Sequence, residues 1–366
     1  MEQRDLQYVS SLHGGFWNFD IKDFRYMTNP YFPPAEFMEN LQSRLKELVK
    51  SYPSTNWRIS SLVAEPLGLS HEHVVIANGG SELISAISSL YVENLAVPVP
   101  TFDEFPNRAV NQGKRVSLYQ LDGDFDLDAG GFIQHAMDNQ ANSALFIRPN
   151  NPTGNYLSKQ TLRNLLESLR HLDVIIVDES FIDFVSHEES PSAVDMLFEF
   201  PNMIILKSLS KVYGIPGLRL GYAASGDRKM IAALRDAIPI WSINSLSQFF
   251  LEEVGAYQQQ FAQSCEDVKR ATALLSRGLQ SVPYLYSYPT HGNFVLCRIL
   301  YGFTAAELTG RLFDDFGVLI NDCTTKKGLD GRFVRVASRT IEENSELLKA
   351  FQRLSPASST LERVSG

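Results

Sequence analysis

A lysine stands among apolar residues in the segment SLSKVYGIPGLRLGY, residues 208–222. Lys211 would be buried if the Leu, Ile and Val residues around it pack together, and lysine is rarely buried unless it is paired or takes part in chemistry. Burial lowers the pKa of an amine and so exposes the free base that forms a Schiff base with a carbonyl compound. Ser208 and Arg219 add a hydroxyl and a guanidinium group, which together can bind a phosphate. The segment therefore predicts a site for a carbonyl compound that carries a phosphate, and pyridoxal 5′-phosphate (PLP) is the best candidate.

Three other segments place polar groups where a predicted strand meets a loop or a helix. VIIVDESFIDF puts Asp178 at the end of an apolar run, RPNNPTG contains Asn151, and ANGGSELI is a glycine-rich turn before a helical pattern. A buried carboxylate is costly unless it meets a cation, and the backbone N–H groups at a helix N-terminus bind anions. Each segment alone would more often be an ordinary turn or cap. Their combination with the lysine segment favours a cofactor site.

Short apolar runs alternate with helical patterns along the chain. HVVIA, NLAVPV, SALFIRP, VIIVDES and MIILKSLS are nearly continuous apolar runs, which are typical of parallel strands buried on both faces. SKQTLRNLLESLR repeats leucine at helical spacing, and a longer helical pattern without internal proline covers about 242–282. We therefore expect an α/β fold with a mostly parallel central sheet, helices on both of its faces and a smaller α+β C-terminal domain. The expected division is an N-terminal arm at 1–35 that packs with the small domain, a large cofactor-binding domain at 36–270 and a small domain at 271–366.

The composition indicates which partners and which cellular location to expect. The net charge of −9 over 366 residues argues against nucleic acid or an anionic membrane as the main partner. The three cysteines form no CxxC pair, which favours a reducing compartment and neither a disulfide framework nor a metal site. No apolar run is long enough to span a membrane, and the first residues lack the pattern of a signal peptide. We expect a cytoplasmic location.

The lysine segment closely resembles the signature of the class I and II, fold-type I PLP-dependent aminotransferases. The resemblance implies that Lys211 holds PLP as a Schiff base, while Ser208 and Arg219 bind its phosphate. It implies that Asp178 lies beside the pyridine nitrogen and keeps it protonated, so that the ring withdraws electrons. It also implies that Asn151 contacts the oxygen on the pyridine ring.

The same resemblance assigns further cofactor contacts. Gly80 and Ser81 match the phosphate-binding turn, and Phe102 in PVPTFDEF matches the aromatic residue that stacks on the ring. Tyr52 in KSYP resembles a tyrosine that reaches the phosphate in the partner subunit's site, which implies a homodimer with shared active sites. Phe181 stands where many relatives have a tyrosine that donates to the ring hydroxyl, so that hydrogen bond is absent here.

The substrate side resembles the branch of histidinol-phosphate aminotransferases and threonine-phosphate decarboxylases. Arg335 in RFVRVASRT matches the arginine that binds the substrate α-carboxylate, and a guanidinium can do so with two hydrogen bonds. HGG and TNPYFPP, which contain His13 and Asn29, resemble the decarboxylases, and there the histidine and the match of Arg339 help to bind the substrate's phosphate. Asn321 stands where the branch usually has an arginine, which leaves the substrate of either relative open.

Two reactions fit this reading. We place PLP-dependent transamination of a small anionic or phosphorylated amino acid first, because that chemistry dominates the wider family. Decarboxylation of an amino acid is the alternative, since the decarboxylase-like segments favour it. A non-catalytic PLP-binding relative is less favoured, because neither the lysine, the aspartate nor the arginine is missing. The expected partners are an amino acid and a keto acid.

Overall fold

The computed structural model of the protein describes residues 5–186 and 191–354. The ends of the predicted arm and of the predicted small domain, residues 1–4 and 355–366, lie outside this part of the chain. The strands are β1 (Lys22–Asp23), β2 (Val74–Asn78), β3 (Asn94–Val99), β4 (Arg115–Gln120), β5 (Ser143–Ile147), β6 (Val174–Asp178), β7 (Met203–Ser208), β8 (Leu220–Ser225), β9 (Leu285–Ser287), β10 (Phe294–Ile299), β11 (Val318–Leu319), β12 (Asn321–Asp322) and β13 (Phe333–Ala337). The α-helices are α1 (Leu6–Ser11), α2 (Ala35–Lys50), α3 (Asn56–Ala64), α4 (Gly80–Tyr91), α5 (Glu104–Asn111), α6 (Ala129–Asp138), α7 (Lys159–Ser168), α8 (Leu209–Val212), α9 (Arg228–Ala237), α10 (Ser245–Glu253), α11 (Gln258–Gln280), α12 (Ala305–Phe316) and α13 (Ile341–Arg353).

Seven strands form the central sheet in the order β2-β8-β7-β6-β5-β3-β4. The strands from β7 to β4 pair in parallel, and β8 is antiparallel to both β7 and β2. The apolar runs that predicted strands are β2, β3, β5, β6 and β7, and nearly all of their residues are buried, as expected for strands covered on both sides. The prediction of a mostly parallel central sheet is confirmed.

Two hydrophobic cores cover the two faces of this sheet. Because side chains alternate along a strand, Val74 and Ile76 of β2 pack in one core and Val75 and Ala77 pack in the other. Helices α3, α6, α7 and α10 contribute to the first core, and helices α4, α5 and α9 contribute to the second. The helices therefore lie on both faces, as the sequence predicts.

A second, antiparallel sheet of four strands lies in the C-terminal part, in the order β12-β13-β10-β9. Its core includes residues of α11, α12 and α13 and also Phe24, which follows β1. Strand β1 pairs in parallel with β11, with Lys22 opposite Val318. The N-terminal segment therefore contacts the C-terminal part. The predicted boundary at 270 falls inside α11.

The helical pattern at 242–282 is not one helix. It contains α10, a 3₁₀ turn at Val254–Tyr257 and then α11. The turn includes Gly255, whose low helix propensity favours an interruption. None of the described helices has the length and apolar character that crossing a membrane requires.

Candidate active site

The site lies where β6 and β7 end. Asp178 is the last residue of β6 and pairs with Leu206 of β7, whose last residue is Ser208. The short helix α8 follows β7 directly and carries Lys211. Because the carboxyl ends of parallel strands share one edge of a sheet, and ligands bind there in open α/β sheets, this topology brings the acid and the lysine together.

A cavity of about 110 Å³ opens at this edge. The residues that line it are Met27, Gly80, Ser81, Ile84, Phe102, Ile147, Asn151, Asp178, Ser180, Phe181, Leu206, Ser208, Ser210, Lys211 and Arg219. Most of the residues predicted to bind the cofactor therefore surround one space. The sequence had identified these residues only one segment at a time.

The Lys211 amine lies in surroundings that disfavour its charge. Burial lowers its pKa to about 8, and the positive charges of Arg335 and Arg219 act in the same direction. Asp178 and Asp23 oppose this effect. A larger fraction of this amine is therefore neutral near pH 7 than of an ordinary lysine, as a Schiff-base lysine requires.

Asp178 is a buried carboxylate, and hydrogen bonds from Ser180 partly compensate the effect of burial on its charge. Burial raises its pKa to about 6, and the hydroxyl and the backbone N–H of Ser180 act to lower it. That N–H donates to Asp178 Oδ1 over 2.8 Å. Glu179 raises the pKa, while Lys211 lowers it. The cavity thus holds an acid whose ionised form a nearby cation would stabilise.

Arg219 approaches the N-terminal end of α4. Its backbone is in the left-handed region, with φ of 57°, and a Cβ atom at Gly79 would overlap its Nη2. Gly79 itself has φ of 77°, so this position needs glycine for two reasons. A Cβ at Gly221 would likewise lie 2.8 Å from the backbone nitrogen of Gly80. The guanidinium, the helix N-terminus and the strand end of Ser208 therefore meet closely.

Arg335 adjoins the cavity through Asn151. Its Nη1 donates to Asn151 Oδ1 over 2.6 Å, and its Nη2 donates to the carbonyl oxygen of Arg25 over 2.7 Å. The Nε atom is buried and has no partner within the described residues. Burial lowers the pKa of Arg335 to about 10. One donor of a fixed guanidinium is thus left for another group.

Besides Arg335, five predicted site residues do not line the cavity. Asn29 is buried, and its side chain donates to Val212 O and Ser264 Oγ and accepts from the N–H of Tyr31, so it supports the turn that carries the lysine. The other four, Tyr52, His13, Asn321 and Arg339, lie outside the cavity.

Tyr52 has 79% of its surface exposed and stacks on Trp241, with ring centroids 4.6 Å apart. His13 is exposed, with φ of 51°. Asn321 pairs with Arg335 on the neighbouring strand, and its Nδ2 donates to Cys323 Sγ. Arg339 donates to Glu343 through Nε and to the carbonyl oxygen of Asp23 through Nη1.

Several cavity residues were not identified from the sequence. Ser180 is one, although its place two residues after Asp178 in VIIVDESFIDF could have suggested it. Ile84, Ile147 and Leu206 give the cavity apolar walls, but a core residue and a wall residue look alike in sequence. Met27 comes from the N-terminal segment, which reaches the cavity only through tertiary contacts.

The residues present fit PLP. The cavity offers the Arg219 guanidinium and a helix N-terminus for a phosphate, a carboxylate for a protonated ring nitrogen, and an amine for a carbonyl group. Phe102 and Ile147 supply apolar contacts for a flat ring. The close approach of Arg219 to Gly79 and the buried hydroxyl of Ser210, which has no partner among the described residues, point to a ligand with several acceptor oxygens.

Comparison with known proteins identifies a family that matches the chain and two similar proteins. The family description "Aminotransferase class I and II" matches residues 16–351, which supports the predicted cofactor, PLP. The CMP-5′-(3-aminopropyl)phosphonate synthase of Streptomyces rubellomurinus is 36% identical over 95% of this chain, and the chain spans 55% of the length of that protein. The L-serine phosphate decarboxylase of Campylobacter jejuni is 31% identical over 90% of this chain and 87% of its own length.

A solved structure supports the same fold. The histidinol-phosphate aminotransferase from Clostridium acetobutylicum has a TM-score of 0.83 and 26% sequence identity, over 90% of this chain and 98% of the other. The similarity thus covers most of both chains.

Proposed function

The chain belongs to the class I and II aminotransferase family, and we propose that it is a PLP-dependent decarboxylase of a small phosphorylated or phosphonate amino acid. The observation that carries the proposal is the single cavity in which Lys211, Asp178 and Arg219 meet. The sequence placed transamination first and decarboxylation second. The relative named as an L-serine phosphate decarboxylase, which aligns over most of both chains, supports the reverse order.

Lys211, Asp178, Arg219 and the N-terminus of α4 each have a defined part in this proposal. PLP bound here would supply a carbonyl group that condenses with amines and a protonated ring that withdraws electrons from a bond at the amino acid's Cα. Lys211 would provide the amine for that condensation and an acid that delivers the proton which replaces the lost carboxylate at Cα. Asp178 keeps a proton on the ring nitrogen. Arg219 and the N-terminus of α4 bind the phosphate.

Three arginines support an anionic substrate. Arg335 donates to the carbonyl oxygen of Arg25, and Arg339 donates to that of Asp23, so their guanidinium groups converge on residues 23–25. Arg25 itself donates to the carbonyl oxygen of Ser10 over 3.0 Å. We propose that Arg335 orients the substrate carboxylate and that Arg25 and Arg339 favour an anionic side chain, in a site where Asn321 offers no charge.

The reaction can be tested with L-serine O-phosphate and L-threonine O-phosphate in the absence of any keto acid. We expect continued release of CO₂ and accumulation of the amine product, with no activity in Lys211→Ala. Conversion of the cofactor to its amine form, with a stop after one equivalent, would support transamination instead. If neither occurs with phosphorylated, phosphonate or acidic amino acids, the proposed function is wrong.

Transamination remains the second candidate because of one observation, the structural similarity to a histidinol-phosphate aminotransferase. The same assay separates the two reactions, since a keto acid is required for repeated turnover only in transamination. Addition of 2-oxoglutarate to the assay therefore completes the test.

We further propose a homodimer with shared active sites, in the cytoplasm. Tyr52 is exposed and does not line the cavity of its own chain, which is consistent with a role in the site of a second copy. The arm at 1–35, the large domain at 36–270 and the small domain at 271–366 remain our proposed division. The pairing of β1 with β11 supports the packing of the arm with the small domain.

A further inference from the structure

Ser180 connects the ends of two neighbouring strands at the bottom of the cavity. Its backbone N–H donates to Asp178 Oδ1 over 2.8 Å, at the end of β6. Its hydroxyl oxygen accepts from the N–H of Ser208 over 2.9 Å, at the end of β7. Ser180 and Asp178 are only 6% and 5% exposed, so water competes little for either contact.

The contact with Ser208 limits which further hydrogen bonds the hydroxyl of Ser180 can form. A serine hydroxyl has one donor hydrogen and two acceptor lone pairs, and the N–H of Ser208 occupies one of the lone pairs. The donor hydrogen is then free for the carboxylate of Asp178, whose pKa this hydroxyl acts to lower against the effect of burial. A hydrogen bond to an ionised group is stronger than one between neutral groups.

Other charged groups also act on Asp178. Glu179 raises its pKa and Lys211 lowers it. The carboxylate of Glu179 accepts from Arg148 over 2.7 Å, from Ser192 and from the N–H of Ala193, so it is held away from Asp178. Of the described residues, Ser180 is the one that provides both an N–H and a hydroxyl to this carboxylate.

We propose that Ser180 is a positioning residue, which orients the Asp178 carboxylate and keeps it ionised for contact with the ring nitrogen of the cofactor, through a hydroxyl that is itself oriented by the N–H of Ser208. This inference rests on the proposed function, because it assumes that PLP occupies the cavity. A purely structural role would differ in its effects. The hydroxyl would then only satisfy a buried N–H, and its loss would lower stability without a specific effect at Asp178.

The test uses pyridoxine 5′-phosphate, which has the ring nitrogen and the phosphate but no aldehyde and therefore forms no Schiff base. Its dissociation constant is measured by calorimetry from pH 5 to pH 8 for the wild type, Ser180→Ala, Asp178→Asn and the double variant. We expect Ser180→Ala to raise the dissociation constant roughly tenfold at pH 7, as for the loss of a hydrogen bond to a charged group. The midpoint of the pH dependence assigned to Asp178 should move up by about one unit. In the Asp178→Asn background, Ser180→Ala should change the constant by less than about twofold.

Ser225→Ala is the matched control. Ser225 is a buried serine at the end of β8, and its hydroxyl donates to the carbonyl oxygen of Pro201 away from the cavity. Ser225→Ala should alter the melting temperature but not the dissociation constant of pyridoxine 5′-phosphate. If Ser180→Ala does not fold, Ser180→Cys replaces it, because a thiol has nearly the same shape and is a weak donor.

The outcomes separate the two hypotheses. Equal effects of Ser180→Ala on the dissociation constant in both backgrounds, or an unchanged pH midpoint, would show that Ser180 does not act through Asp178 and would overturn this inference. The proposed function would then still stand, because the wild type would bind the probe. If the wild type does not bind pyridoxine 5′-phosphate at all, both fail.

Discussion

Lys211 illustrates how a residue's surroundings determine its chemistry. Burial and the charges of Arg335 and Arg219 disfavour its protonated form, and Asp178 only partly compensates. A lysine of this kind destabilises the folded, cofactor-free protein when it carries a proton. The free-energy cost of burying this protonated amine depends measurably on pH.

The unfolding free energy of the cofactor-free protein should rise between pH 8 and pH 10 because of Lys211. In this range the amine has lost its proton in the folded state, where its pKa is about 8, but retains it in the unfolded state, where its pKa is 10.5. The unfolded state then binds more protons, so stability increases with pH. The full contribution of this one group is up to about 3 kcal/mol.

Urea unfolding of the wild type and of Lys211→Met from pH 7 to pH 10 measures this effect. Methionine has a similar length and no charge, so all other titrating groups cancel in the difference between the two proteins. The unfolding free energy of the wild type should increase relative to that of Lys211→Met as the pH rises. Parallel curves would mean that Lys211 has an ordinary pKa and does not lie in a dry cavity.

At the scale of the elements, a buried ion pair holds the ends of β5 and β6 together. Arg148 follows β5 and Glu179 follows β6, and their side chains are 0% and 1% exposed. Arg148 also donates to the carbonyl oxygens of Leu157 and Pro191 and to the hydroxyl of Tyr156. Because Asn151 lies just beyond Arg148 and Asp178 just before Glu179, the pair determines the relative position of two site residues.

Loss of one partner of this pair should be costly. Glu179→Gln leaves the guanidinium of Arg148 buried without its counter-charge, and we expect a loss of about 3–5 kcal/mol of unfolding free energy. The double variant Arg148→Met with Glu179→Gln should lose less than the sum of the single variants, since no uncompensated charge remains. Urea unfolding measures both.

The exposed pair of Arg163 and Glu199 provides the control. Its side chains are 35% and 42% exposed, and Glu199→Gln should cost less than about 1 kcal/mol because water screens the charges. Similar losses at both sites would contradict a role for burial in the first pair.

At the scale of the whole molecule, the features that could be predicted from the sequence are those that depend on local sequence patterns. The strands with continuous apolar runs lie in the central sheet, and their parallel order brings Asp178 and Lys211 to one edge. These features could be predicted because each strand and each motif is a contiguous segment.

The features that the sequence did not predict depend on contacts between distant segments. Asn29 resembled a substrate contact, but its side chain binds Val212 and Ser264, which lie far away in the chain. The hydrogen bond from Arg335 to the carbonyl oxygen of Arg25 depends on the position of the segment after β1. That strand pairs with β11, and both strands have only two residues and no detectable pattern. The break before α11 lies at a 3₁₀ turn, and its one sequence signal, the isolated Gly255, is also tolerated inside helices and so does not predict it.

Tyr52 leads to a prediction about the assembly. It is 79% exposed and stacks on Trp241, which is 54% exposed, and exposed aromatic residues of this kind are typical of protein interfaces. If Tyr52 contacts the phosphate in the site of a second copy, each active site needs Lys211 from one chain and Tyr52 from the other. Tyr52→Phe removes the hydroxyl but keeps the stacking ring.

Mixing the Lys211→Met and Tyr52→Phe proteins should therefore restore activity. In a hybrid dimer one site has both native residues and the other has neither, so a fully exchanged equal mixture should have about one quarter of its sites intact. The decarboxylation rate of the mixture, measured after subunit exchange, should exceed the mean of the two separate proteins. Wild type mixed with the doubly substituted chain is the control, because its hybrid dimers contain no intact site and its activity should fall below that mean. A mixture that never exceeds the mean of its components would show that each chain completes its own site.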